Sequence, residues 1–451
     1  MNVLIKFRKS IMLLIKILII ASLLFGFISI WQTYYTSSKA GFESGAVVVL
    51  SYVAIYITFI QLYGGFLIGI NRLHEIIYSQ VLAITFTNFI MYLELSLLIG
   101  QLQTIPPIFV GIAFQILFAS VGVYCANTVY FKLYPARRSI AIFGDDEEGT
   151  NLIIKMSKIP ERFSIQCGVS VRNRTLEEIK RLINDYEAVI ISDIEKNMRN
   201  EILKYCYADH KRVYILPTST DIILNNCYNI QISDIPILMC KGRGLTNEQE
   251  IIKRTFDILL SLFGIIIASP IMLIIAISIK ICDGGPILFK QNRVTKDGKI
   301  FNVLKFRSMI VDADKDGAQR AVDNDKRITP VGKIIRPVRL DELPQLFNIL
   351  FGSMSFVGPR PERIENVYEY TQKFPDFKFR NKVKAGLTGY AQIYGKYNTS
   401  PENKLKMDLI YIEHYSLLQD IKLLAMTVKI LFMKESTEGF ESGKEGNGTS
   451  K

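Results

Sequence analysis

Four long apolar stretches open the chain, at 11–30, 46–70, 76–99 and 108–131, with Lys16 and Glu94 the charged residues inside them. Each is long enough to cross a hydrocarbon core about 30 Å thick, so residues 1–135 are expected to form a membrane α-helical bundle of four spans. From Ser139 the rhythm changes to short apolar runs, 140–143, 187–192 and 213–216, separated by polar stretches of helical character. That alternation predicts a small α/β domain with a parallel, Rossmann-like sheet over 136–250. A fifth apolar run, 258–279, is broken near its middle by Ser269-Pro270. Residues 420–433 repeat apolar positions at helical spacing, which suits the membrane interface and packing on the protein equally well. The stretch 434–451, rich in Gly, Ser, Glu and Lys, is expected to be a disordered tail.

Composition agrees with a membrane protein. Of 451 residues 49% are hydrophobic and 21% charged, which excludes a disordered, collagenous or disulfide-scaffold chain. Basic residues cluster at Lys6, Arg8 and Lys9, at Arg72, and at Lys132, Arg137 and Arg138, whereas 100–107 carries no charge. By the positive-inside rule both ends of the four-span domain face the cytoplasm. The net charge of +12 divides into +4 over 1–135, −1 over 136–250 and +9 over 251–451. A basic C-terminal half beside membrane sequence suits an anionic bilayer or a phosphorylated substrate better than nucleic acid. Six scattered cysteines without a C-x-x-C are read as free thiols. With only His74, His210 and His414 present, carboxylates are expected to do any chemistry.

The first α/β strand runs into Gly144-Asp145-Asp146-Glu147-Glu148-Gly149, where a dinucleotide fold would carry its phosphate loop. Four carboxylates there repel a pyrophosphate, so the domain reads as a degenerate Rossmann-like module. The 258–279 run admits two topologies. Hydropathy favours a fifth span, which would put 283–451 outside; Pro270 and the basic residues at both ends favour a segment that enters and returns. Downstream, Lys305 and Arg307 alternate with apolar residues, as in an edge that meets phosphate. Leu340 to Leu350 reads as a helix start, with Asp341 able to cap it and Pro344 in the first turn. Arg360 follows, bracketed by Pro359 and Pro361, and a carboxylate pair near a fixed guanidinium suits phosphoryl transfer. Asp312-Ala313-Asp314 and Asp323-Asn324-Asp325 have the form of D-x-D metal motifs but lie in a polar stretch that reads as solvated loop.

Several motifs in order carry a family resemblance: K-R-x-F-D at 253–257, K-F-R-S-M at 305–309, L-D-E-L-P-Q-L at 340–346, M-S-x-V-G-P-R-P at 354–361, G-L-T-G at 386–389, and Asp408 with Tyr411. Over 251–433 the chain resembles the bacterial sugar transferases, the polyprenyl-phosphate phosphoglycosyl transferases, and its N-terminal half looks like the long form of that family. The resemblance implies an α-rich, membrane-associated catalytic domain at 251–433 with a re-entrant helix at 254–281 hinged at Ser269 and Pro270. It implies that Asp341 attacks a nucleoside diphosphate sugar, likened to a UDP-sugar, and that polyprenyl phosphate then takes the sugar phosphate. Glu342 would help hold Mg²⁺, and Lys305, Arg307, Gln345, Pro359, Arg360 and Pro361 would line the substrate and phosphate site. The implied setting is a multi-pass protein of the bacterial cytoplasmic membrane, its catalytic domain on the cytoplasmic face among membrane lipid. A homodimer is implied by likeness to long-form relatives. Departures from the family pattern are Arg339 for Ser or Thr, Thr295 for Gly, Ser353 for Asp, Ala385 for Pro and Tyr390 for Trp. Two other functions compete: a catalytically silent scaffold of polysaccharide assembly, and a metal-dependent glycosyltransferase using Asp312 and Asp314.

Overall fold

The computed structural model describes residues 7–34, 42–144, 147–172, 174–240, 242, 244–311, 325, 327–395 and 399–431, without the side chains of 42–44, 147, 148 and 431. The chain forms two compact units, 1–216 and 217–451.

In the first unit the four apolar stretches become helices α1 Arg8–Tyr34, α2 Phe42–Leu62, α3 Leu73–Ile99 and α4 Pro106–Leu133. Each is long and apolar enough to cross a membrane. Inside such a bundle, buried polar groups must satisfy one another. Asn88 Nδ2 donates to Gln115 Oε1 at 2.7 Å, Gln115 Nε2 to the Leu23 carbonyl at 3.1 Å, and Tyr56 OH to Gln80 Oε1 at 2.5 Å. Lys16, near the end of its helix, holds its ammonium 5.7 Å from the Phe66 ring centre.

A parallel sheet follows: β1 Arg138–Phe143, β2 Ser164–Ser170, β3 Ala188–Ser192 and β4 Arg212–Ile215, ordered β2-β1-β3-β4. It alternates with α5 Glu147–Ser157, α6 Leu176–Asn184 and α7 Lys196–Ala208. β3 is buried at every position, as a central strand covered on both faces requires. Gly144 has a packing reason: a Cβ there would sit 2.0 Å from the Asp193 carbonyl oxygen. Asp145, Asp146 and the side chains of Glu147 and Glu148 lie outside the described residues.

The second unit begins earlier than the composition change near 250, because helix α8 Ser219–Asn225 packs Ile222 among Phe377, Leu405 and Leu409. A hairpin of β5 Tyr228–Ile232 and β6 Ile235–Met239 comes next. Here the reading of six free thiols is corrected: Cys227 and Cys240 form a disulfide. The ladder begins at Tyr228↔Met239, so Cys227 and Cys240 are the next opposed pair, with Cα atoms 4.3 Å apart. Cys125, Cys167, Cys206 and Cys282 remain free.

Helix α9 Asn247–Asp283 runs unbroken through Pro270. Proline cannot donate to the Ile266 carbonyl, and the Ser269 hydroxyl does so instead at 2.8 Å. Lys253, Asp257, Ser261, Met272, Ile275 and Ile279 form one buried stripe along the helix, while Ser269 and Pro270 are exposed. The rest of the unit comprises β7 Leu288–Val294, β8 Ile300–Phe306, α10 Pro330–Ile335, a 3₁₀ turn Leu340–Glu342, α11 Gln345–Phe351, β9 Ser355–Val357 and α12 Ile364–Lys373. A 3₁₀ segment Pro375–Lys382, β10 Gly386–Thr388, α13 Tyr390–Tyr394, α14 Pro401–Glu413 and α15 Leu417–Leu431 complete it. Its core gathers Val303, Leu346, Ile349, Met354, Val357, Tyr411 and Leu423. Asp420, Leu423 and Met426 are buried, so α15 packs on the protein. Asp312, Asp314, Asp323, Asn324 and the 434–451 tail lie outside the described residues.

Candidate active site

Asp341 and Glu342 sit on the 3₁₀ turn that precedes α11, launched by Arg339 in the left-handed region (φ 55°). The capping reading of Asp341 is corrected. Pro344 occupies the N-cap of α11 and no side chain caps that end, because the 3₁₀ turn inserts residues between the carboxylate and the helix. The Asp341 carboxyl is therefore not engaged in capping α11. Burial raises its pKa to about 6; Lys305 and Arg336 oppose the rise and Glu342 adds to it.

Glu342 behaves differently. Burial pushes its carboxyl up, but Lys305, Arg360 and Arg339 outweigh that and hold it below the usual carboxylate range. Lys305 Nζ donates to Glu342 Oε1 at 2.7 Å. The two adjacent carboxyls are thus split, one ionised firmly and one poised near neutrality, which is how paired carboxylates acquire separate roles.

The hairpin β7–β8 explains the alternating cations. Cross-strand pairs Phe289↔Lys305 and Arg293↔Phe301 share a face, so Lys305 and Arg293 point one way and Lys290 the other. Asn348 of α11 fastens the hairpin: its Oδ1 accepts from the Leu304 N–H at 2.9 Å and its Nδ2 donates to the Asn302 carbonyl at 2.9 Å. Lys305 is thereby set against the 3₁₀ turn. Arg307, one step past the strand, turns to Asp283 at the end of α9 and is buried, its Nε and Nη1 lacking a hydrogen-bond partner. Gln345 is buried at the start of α11, and Pro359 is buried beside exposed Arg360. Ser269 and Pro270 belong to α9 alone.

Residues quoted only as a motif prove to be the frame. Asp257 Oδ1 accepts from Ser355 Oγ at 3.1 Å and from the Phe356 N–H at 3.0 Å, which fixes the strand leading to Arg360. Arg254 donates to the Ile349 and Leu350 carbonyls at 2.7 and 2.6 Å, closing the C-terminus of α11. Lys253 pairs with Asp420 at 2.6 Å, and Tyr411 donates to the same carboxylate at 2.8 Å. Arg380 and Asp408, 2.8 Å apart, are buried behind the Arg360 loop, and burial raises Asp408 to about 6 despite Arg380. Lys253 and Asp257 were visible one helical turn apart in the sequence, but Asp420 and Arg380 carried no such signal.

Three of the departures form one hydrogen-bonded set. Thr295 Oγ1 donates to the Ser353 carbonyl at 3.1 Å and accepts from the Ala385 N–H at 3.1 Å, a donor that proline would lack. Thr295→Gly is expected to cost about 1–3 kcal/mol by orphaning that buried N–H. Adding Ala385→Pro should recover part of the loss, which a double-mutant cycle of thermal midpoints reads directly. Additive losses would reject the coupling.

With this geometry in place, comparison with known proteins identifies the class. Residues 248–434 match the family model described as bacterial sugar transferase. An exopolysaccharide production protein of Rhizobium leguminosarum is 38% identical over 187 residues, 40% of this chain and 94% of that protein. The chain therefore belongs to the bacterial sugar transferase family. A UDP-glucose:undecaprenyl-phosphate glucose-1-phosphate transferase of Klebsiella pneumoniae is 39% identical over 211 residues, 46% of this chain and 45% of the relative. A UDP-N-acetylgalactosamine-undecaprenyl-phosphate N-acetylgalactosaminephosphotransferase of Aeromonas hydrophila is 41% identical over 183 residues, 40% and 43% of the two. The match thus spans less than half the length of these two relatives.

Proposed function

We propose that this protein moves a sugar 1-phosphate from a UDP-sugar to polyprenyl phosphate and so starts glycan or exopolysaccharide assembly. The observation that carries it is the split carboxylate pair: uncapped Asp341 beside Glu342, with Lys305 bound and Arg360 close enough for its charge to hold the Glu342 carboxyl down. Asp341 attacks the β-phosphorus, the bond to the bridging oxygen breaks, and UMP leaves with the electron pair. An oxygen of polyprenyl phosphate then attacks the same phosphorus, and Asp341 departs as carboxylate. Lys305 and Arg360 oppose the charge that gathers on the transferring phosphoryl group.

Among the described residues no three carboxylates, histidines or cysteines gather to hold a metal by themselves. Two adjacent carboxyls suit Mg²⁺ in its usual manner, with one or two protein carboxylates completed by substrate phosphates and water. Glu342 would hold it, and the ion would supply charge neutralisation at the diphosphate.

The reading is tested by product analysis with membranes, polyprenyl phosphate and a panel of UDP-sugars: a lipid-linked sugar diphosphate and UMP are expected, and release of neither rejects it. If Asp341 attacks as carboxylate, log kcat/KM should fall with unit slope below about pH 6, since protonation removes the nucleophile. Saturating Mg²⁺ should move this limb lower, because a nearby cation favours the ionised form. A profile flat from about pH 5 to 7 at limiting Mg²⁺ would count against it.

We also propose that α9 enters and leaves the cytoplasmic face of the inner membrane. At about 1.5 Å per residue its 37 residues reach about 55 Å, more than a crossing needs. Yet its buried stripe continues past Pro270, where Met272, Ile275 and Ile279 meet Phe306 and Ile335 of the catalytic unit, while Leu262, Phe263, Ile266, Ile267, Leu273 and Ile274 stay exposed. Packing of both halves of α9, before and after Pro270, on the one catalytic unit supports a return path, with the missing backbone donor at Pro270 as the place to bend. Single cysteines beyond Lys434 and near Arg174 should both resist an impermeant thiol reagent on intact cells. Labelling of the tail alone would make α9 a fifth span.

A further inference from the structure

Arg360 is exposed, and the two prolines around it donate no backbone hydrogen bond, so neighbouring donors must set the shape of its loop. Three consecutive carbonyls are each taken by a different donor. Pro359 O accepts from the Gly386 N–H at 2.9 Å, Arg360 O from Arg380 Nη2 at 3.0 Å, and Pro361 O from Arg293 Nη1 at 3.1 Å.

We infer that Arg380, backed by Asp408, is a positioning residue: it grips the Arg360 peptide and thereby aims the Arg360 side chain at the phosphates of the donor. Arg380 is 3% exposed, lies 2.8 Å from Asp408 Oδ2 and 3.8 Å from Glu362 Oε1, and stacks 4.9 Å over the Phe377 ring. A guanidinium suits this post because its rigid plane sets Nη2 beside both the Asp408 carboxylate and the Arg360 carbonyl while Nη1 faces Glu362, an arrangement that an ammonium on a flexible stem holds less well. Asp408 is 1% exposed and supplies the nearer of the two carboxylates, Glu362 being the other, that keep Arg380 from being a buried, unpaired cation. Among the described residues neither makes a hydrogen bond or ion pair to the Asp341–Glu342 turn, and the link from Arg380 towards the site runs through the Arg360 loop, at the Arg360 carbonyl and Glu362.

This inference rests on the proposed reaction, and its test separates the two. KM for UDP-sugar and for polyprenyl phosphate is measured in the full-length protein carrying Arg380→Lys, Arg360→Ala, or both, with Asp408→Asn as a near-isosteric second probe. Arg380→Lys is expected to raise KM for UDP-sugar about tenfold, leaving that for polyprenyl phosphate within about twofold. In the Arg360→Ala background the same change should do nothing further, because the residue it positions is gone. Asp408→Asn should follow the same pattern more weakly. If the effects of Arg380→Lys and Arg360→Ala multiply, or if both substrates lose affinity equally, Arg380 is merely structural and the inference fails while the reaction stands. Should Arg380→Lys lower the thermal midpoint too far to assay, Asp408→Asn decides by the same criterion. Absence of UDP-sugar turnover in the unsubstituted protein would overturn the reaction, and this inference with it.

Discussion

Replacing Asp341 by Asn is expected to cut kcat by at least about 10⁴-fold while leaving insertion and folding intact. An amide cannot form the acyl phosphate, whatever the quality of the remaining site. The change should be silent structurally, because Asp341 caps no helix and is only half-buried. The protein also loses a carboxyl whose ionised form burial already disfavours. Transfer of labelled sugar phosphate from UDP-sugar, scored beside thermal melting of the purified protein, checks both halves. A near-normal rate in a correctly folded variant would remove Asp341 from the chemistry.

The four long N-terminal helices were legible because a helix fit to cross a membrane must be apolar for about 20 residues, and few other constraints write so long a pattern. β1, β3 and β4 were legible for a related reason: β3 is buried on both faces and its sequence, Ala188 to Ser192, is nearly all apolar. β2 was not: both edge strands bury little, but β4 keeps the apolar run Val213 to Leu216, whereas β2 interrupts its apolar positions with Gln166 and Gly168. The Cys227–Cys240 bond depends on hairpin register, which spacing alone does not encode. In the site, Asp341 and Glu342 stood out as a pair, but whether Asp341 capped α11 turned on a 3₁₀ turn that periodicity cannot distinguish from a helix start. Arg380 and Asp420 were invisible because their partners, Arg360 and Lys253, are 20 and 167 residues away.

Lys253→Met should be the most damaging substitution for the stability of the C-terminal unit, about 3–5 kcal/mol at neutral pH. The Lys253 side chain is 8% exposed and that of Asp420 1%, with 2.6 Å between their charges. Methionine fills the volume but leaves Asp420 a buried anion served only by the Tyr411 hydroxyl. Burial already raises the Asp420 pKa, held back by Lys253 and by the hydrogen bonds from Lys253 and Tyr411; without Lys253 it must rise further. A carboxyl whose folded pKa lies above its unfolded value contributes stability at low pH and loses it as pH climbs through the folded value. The deficit of the variant should therefore shrink towards about pH 4 and reach its full size near neutrality, visible in the thermal midpoint of variant against unsubstituted protein. Removing the second charge as well, in Lys253→Met with Asp420→Leu, should restore most of the loss, since the Tyr411 hydroxyl keeps the Val357 carbonyl as acceptor at 3.2 Å. A deficit that is constant with pH, or a double variant no better than the single, would mean that Lys253 acts through packing over the Tyr411 and Tyr415 rings, 5.9 and 5.5 Å from its ammonium, and not through its charge.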